Sequence, residues 1–230
     1  MPCSNFVPAA YYRAIYPKSY YDDPNVQYGV RARELVREAL IDLNGDGFDF
    51  SQYDANGDGF VDALNVFYAG FPSHGWAVGL WPHSSVVSYS ADGVTTYRYQ
   101  ITNIGTSLSL ATFCHENGHM LCFWPDLYDY DGDSAGVGTF CLMSSTGSGT
   151  NPIQPCAPLK DLAGWTTFLT PLQGLMPGLT VESGVNDFFK VAHPTLADEY
   201  YMIENRQRAG RDVGIPDAGI AIWHVDLQGS

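Results

Sequence analysis

His115 and His119 stand four residues apart with Glu116 between them, in the run His115-Glu116-Asn117-Gly118-His119. On an α-helix, residues at this spacing share one face, so the two imidazoles can grip one metal ion while Glu116 acts as a general base toward water. The metal suited to two imidazoles and an acidic oxygen at a hydrolytic site is zinc, which acidifies water and polarises a carbonyl. The chemistry expected is hydrolysis of an amide. A five-residue pattern alone also occurs by chance on exposed helices, so neighbouring residues must support it.

A catalytic zinc takes three protein ligands and keeps one position open. Asp126, in the acidic stretch after the histidines, is the expected third ligand, with Asp129 as the alternative, and Met143 lies farther downstream. The helix carrying the pair is otherwise apolar, with Leu108, Leu110, Ala111 and Phe113, and Thr106 or Ser107 is placed to cap it. Trp124-Pro125 should stop it, because the residue before proline avoids the helical region.

At these positions the chain resembles the immune inhibitor A-like secreted metallopeptidases, which carry HExxHxxGxPDLYD followed by a CLM stretch. The matching residues are His115 to His119, Pro125-Asp126-Leu127-Tyr128-Asp129 and Cys141-Leu142-Met143. Similarity extends to Asp49-Phe50-Ser51-Gln52-Tyr53-Asp54, Tyr68-Ala69-Gly70, Trp81-Pro82-His83, Ala163-Gly164-Trp165 and Glu204-Asn205-Arg206-Gln207, so it spans nearly the whole chain. The resemblance implies a metzincin-type zinc peptidase in which Asp126 is the third ligand and Met143 forms a tight turn beneath the metal. Two departures bear on the geometry. Cys122 stands where the family has glycine, and one more residue separates His119 from Asp126. Glycine there permits a positive φ, which cysteine would adopt only under strain.

The fold class expected is α+β: a metzincin-like zinc peptidase domain with a mixed sheet and an active-site helix over residues 1–168, then a β-rich C-terminal part over 169–230, read as a truncated piece of a longer secreted precursor. A surface helix is expected from Val30 to Leu40, ending at the polar segment Asp42 to Gly59, then a strand from Phe60 to Tyr68. Shorter strands are expected at 85–89 and 95–102, and in the C-terminal part at 179–182, 188–192, 200–204 and 219–225.

Three acidic loops have the alternating oxygens of calcium sites. Asp54, Asn56 and Asp58, completed by Asp62, form one, and Asp129, Asp131 and Asp133 another. Asp42, Asn44 and Asp46 form a weaker third. Tyr53 and Asn65 occupy the twelfth positions, where an EF-hand carries Glu, which argues against a paired EF-hand module. The alternative for the two loops before residue 65 is an Asx-turn bonding its own backbone, and for Asp129 to Asp133 an ordinary solvated turn.

The remaining histidines carry less. His83 reads as a hydrogen-bonded structural residue, while His74 and His193 read as surface loop residues. His224 and Asp226 share a strand face without a catalytic assignment. Of the five cysteines, Cys114 and Cys122 lie eight residues apart on one helix, about 12 Å, too far for a bridge. Cys141 with Cys156 is the one pairing expected; the alternative is that Cys3 and the other four are small buried apolar residues.

The chain has 230 residues and a net charge of −14, from 25 acidic against 11 basic side chains. That balance excludes a phosphate-binding surface, so no nucleic-acid partner is expected. No apolar run is long enough to span a membrane, and the N-terminus lacks the layout of a signal peptide. Together these readings predict a secreted, monomeric zinc endopeptidase acting on protein or peptide substrates, with calcium-stabilised loops. The alternatives are an inactive peptidase-like, calcium-dependent binding module, and a deformylase-type zinc hydrolase. The intact His-Glu-His set speaks against the first, and the missing upstream cysteine-and-glycine motif against the second.

Overall fold

In the computed structural model, which describes residues 5–172, 174 and 176–228, helices and sheets combine in a mixed α+β arrangement. Cys3 lies outside the described residues. The chain divides into two compact units, Met1–Leu121 and Cys122–Ser230. The division falls well before residue 168, because the elements on either side of that residue belong to one unit: α4 (Ala157–Leu162) packs on the strands that follow it.

The first unit is built on a three-stranded sheet ordered β1 (Leu64–Ala69), β3 (Val94–Ile104), β2 (His83–Ala91). β1 runs parallel to β3, and β2 antiparallel. β2 and β3 form a hairpin whose two-residue turn is Asp92-Gly93, both at positive φ of 52° and 82°. This is the type I′ geometry that Asp-Gly favours, because its twist matches that of the strands. On one face lies α2 (Val30–Gly45), burying Ala32, Val36 and Leu40 against Tyr68, Leu80, Val87, Tyr99 and Ile101. On the other, Phe67 of β1 stacks on Phe113 of α3 (Leu110–Cys122) with ring centroids 5.5 Å apart.

Several boundaries differ from expectation for local reasons. α2 continues through Asp42, Leu43 and Asn44 to Gly45, with the Asp46 N–H still donating to the Asp42 carbonyl at 3.0 Å. The first acidic motif is therefore largely helical rather than a loop. β1 starts at Leu64, not Phe60, since the Asp62 N–H is engaged by the Tyr53 carbonyl at 2.8 Å and Phe60 makes only an isolated bridge to Thr95. α3 begins at Leu110: Leu108 is bridged to Ile104, and the cap is Ser109, whose hydroxyl accepts the Thr112 N–H at 3.3 Å.

In the second unit, β6 (Phe168–Pro171), β7 (Asp187–Ala192), β8 (Glu199–Arg206) and β9 (Gly219–Asp226) form one sheet in that order. β6 is parallel to β7, and the other pairs are antiparallel. A two-residue ladder pairs β4 (Gly147–Ser148) with β5 (Asn151–Pro152). Residues 179–182, expected as a strand, have no ladder; the Asn205 side chain instead donates to the Val181 carbonyl at 2.9 Å. α4 escaped the sequence reading because it is short and begins Ala157-Pro158, but proline is well tolerated in a first helical turn. Its Ala157 packs with Phe188 and Met202.

Candidate metal centre

α3 carries the histidine pair on its inward face, with His115, Glu116, Gly118 and Met120 all buried. The two Nε2 atoms face each other at 3.1 Å. Two nitrogens bound tetrahedrally at 2.0–2.1 Å from one zinc would stand about 3.3 Å apart, so the pair already has the bite that ion needs. His115, His119 and Asp126 each offer one ligand atom, and the three atoms lie within 4.8 Å of one another. Two imidazoles and a carboxylate are a donor set that zinc accepts, and the residues fit the group.

Glu116 follows His115 directly and is 8% exposed. Its charge reaches Tyr28, whose phenol is held well above its ordinary range first by burial and next by the Glu116 carboxylate. Tyr28 packs against His83 with ring centroids 5.1 Å apart. Sequence reasoning missed Tyr28, since a lone tyrosine before a helix carries no spacing signal.

The turn after α3 resolves the Cys122 question. Cys122 stays in the helix, and the left-handed residue is Phe123, at φ 57°. Phe123 therefore takes the left-handed conformation that glycine adopts most readily. Trp124 then anchors the chain, its indole N–H donating to the Leu159 carbonyl at 2.7 Å and its ring meeting Trp165 edge-on.

Asp126 is braced from its own loop. Tyr130 donates its phenol proton to Asp126 Oδ2 at 2.7 Å. Tyr128 is also close, and its phenol is pushed well up, first by burial and next by its hydrogen bond to the Asp126 carboxylate. The next residue, Leu127, donates its N–H to the Met143 carbonyl at 2.7 Å and accepts from the Val137 N–H at 3.2 Å. Met143 is 0% exposed, so the Asp126 loop is hydrogen-bonded to a closely packed segment. Gly136, at φ 54°, lies so close to this loop that a Cβ there would fall 2.6 Å from the Leu127 carbonyl oxygen.

The Glu204-Asn205-Arg206-Gln207 segment supports the same turn from β8. Arg206 pairs with Asp212 at 2.7 Å and Glu204 at 3.1 Å, all three buried, and donates to the Phe140 carbonyl at 3.0 Å, just ahead of Cys141-Leu142-Met143. Glu204 also accepts from the Trp223 indole at 2.8 Å and the Ala157 N–H at 3.3 Å. Lys160, buried nearby, donates to Gln154 at 3.0 Å, and burial lowers its pKa.

The acidic loops differ from one another. The carboxylates of Asp129, Asp131 and Asp133 converge to within 4.8 Å. Asp129 sits well below the usual carboxylate range because the Ser134 hydroxyl, first, and the backbone around it donate to it, with Ser134 N–H and Oγ both at 2.7 Å. In the other loop Asp54 accepts from the N–H groups of Gly57, Asp58 and Gly59 at 2.8–3.0 Å. Asn56 and Asp58 bond each other at 3.0 Å, and Asp62 accepts from the Ala55 N–H at 3.1 Å. That is the self-bonded turn considered as the alternative.

A scan against protein-family models finds no family that matches the chain, and a search of curated proteins finds no match either. The case for function rests on the site itself.

Of the other histidines, His83 is buried between the Trp81 carbonyl at 2.7 Å and the Tyr99 hydroxyl at 2.9 Å, a structural role. His224 meets Glu199 at 2.7 Å, a partner across the β8–β9 pair that strand spacing could not reveal. His74 Nε2 lies 2.9 Å from the Asp22 carbonyl, and His193 accepts the Thr195 and Leu196 N–H groups.

Proposed function

We propose that this chain is a zinc-dependent endopeptidase of the metzincin kind that hydrolyses peptide bonds with Glu116 as general base. The observation that carries the reading is the 3.1 Å bite of His115 and His119 with an Asp126 oxygen close by, on a helix whose next carboxylate is Glu116. Bound zinc would supply a Lewis acid for the scissile carbonyl and acidify the attacking water. His115 and His119 each present a ring nitrogen, and Asp126 adds a carboxylate oxygen, its other side held by the Tyr130 hydroxyl. Glu116 accepts the proton of the attacking water and returns it to the leaving amine nitrogen. Release outside the cell, protein or peptide substrates and action as a monomer belong to the same proposal. The convergent Asp129, Asp131 and Asp133 carboxylates support calcium as a structural cofactor beside the zinc ligand.

Among the described residues no helix is long and apolar enough to cross a membrane.

The deciding experiment is Glu116→Gln with zinc content and casein hydrolysis measured together. Zinc should stay near one per chain while the rate falls by about 10²–10⁴-fold. An unchanged rate would remove Glu116 from the chemistry, and a zinc-loaded wild type that cleaves no peptide would favour the inactive binding module.

A further inference from the structure

Cys141 and Cys156 take no part in the chemistry above, and each is almost fully buried, at 0% and 1% exposure. The Cys156 N–H donates to Cys141 Sγ at 3.3 Å, and the two thiols are hydrogen-bonded to each other. Between them runs the segment that carries Met143, closed at its mouth by the Leu142 N–H on the Gln154 carbonyl at 3.3 Å. Cys156 also sits at the N-cap of α4 but offers no side-chain cap bond, so its sulfur is not committed to the helix.

We propose that Cys141 and Cys156 form a structural disulfide that ties the Met143 turn to the start of α4. The reaction is exchange with a small disulfide oxidant such as oxidised glutathione. One cysteine thiolate attacks the oxidant and releases its first thiolate; the second cysteine then displaces the other half, so the Cys141–Cys156 bond forms, the oxidant's bond breaks and two glutathione thiols carry away the two protons. Both sulfurs are out of reach of solvent once the unit has folded, so the bond forms during folding and afterwards resists reduction. It closes a short loop, which removes chain freedom from the unfolded state and favours the folded one. Because Leu127 hangs on the Met143 carbonyl, the bond also stiffens the base of the Asp126 loop. None of this depends on the catalytic reading.

The test is to refold the full chain in a glutathione redox buffer, denature it without reductant, alkylate, and determine intact mass and the peptide map. The expected product carries three alkyl groups where the reduced chain carries five, contains a linked Cys141–Cys156 peptide, and opens only when denaturant and reductant are combined. It should melt roughly 6–12 °C above the chain refolded in dithiothreitol. Alkylation of both residues after oxidative refolding, a link to any other cysteine, or equal melting temperatures would overturn the proposal. The double variant Cys141→Ala, Cys156→Ala should melt identically with and without reductant; a melt that still depends on redox state would place the stabilising bond elsewhere. Should that variant fail to fold, the peptide map of the native chain decides alone.

Discussion

Phe123 holds its backbone at φ 57° with 63% of the residue exposed, so the turn after α3 carries a conformational cost. For a non-glycine residue that region costs about 1–2 kcal/mol. Phe123→Gly should therefore leave stability within about 1 kcal/mol of wild type, the relief of strain being offset by glycine's greater freedom in the unfolded chain. Phe123→Ile should destabilise by about 1–2 kcal/mol, because a β-branched residue tolerates positive φ worst. Urea melts of the two variants check this, and equal losses would mean that the turn is not held in the left-handed region. The histidine pair was legible at this scale because helical spacing alone aligns residues four apart. The turn that follows was not, because which of two neighbours adopts positive φ depends on where the helix ends.

Elements bring together partners that sequence distance hides. His83 lies on β2 and its hydroxyl partner Tyr99 on β3, so their contact follows from strand register. Burial lowers the His83 pKa below its ordinary 6.5. The unfolded chain then binds a proton below pH 6.5 that the folded chain refuses, so stability is complete above that pH and falls as pH drops through it, by at most about 1.4 kcal/mol per pH unit. Melts at pH 7 and pH 5.5 should show a shallower pH dependence for His83→Gln than for wild type; parallel curves would remove His83 as the source. On β8, the Arg206 pairs are buried on both sides, and leaving a charge there without its partner is costly. Asp212→Asn should lower stability by about 3–5 kcal/mol in denaturant titration, whereas a loss below 1 kcal/mol would show that Glu204 alone satisfies the guanidinium. Arg206 also holds the Phe140 carbonyl, three residues ahead of Met143.

For the whole molecule the dominant fact is the charge of −14. Self-repulsion of that size weakens the compact state, and cations relieve it in two distinguishable ways. General screening responds to ionic strength, while a bound ion stabilises by mass action. Calcium at about 100 times its Kd would add about 2.7 kcal/mol. Millimolar calcium should therefore raise the melting temperature beyond sodium chloride of equal ionic strength, and Asp131→Asn should reduce the difference. Equal effects of the two salts would leave screening as the whole explanation. By itself the sequence determined the histidine pair on α3, the amphipathic α2, the main strands and the acidic charge balance, since each follows from local spacing or from composition. Tertiary structure decided the rest: the Phe123 turn, the Leu127 bond to the Met143 carbonyl and the Arg206 brace. Those depend on contacts between residues far apart in the chain, whose distances are set by packing and not by any period in the sequence.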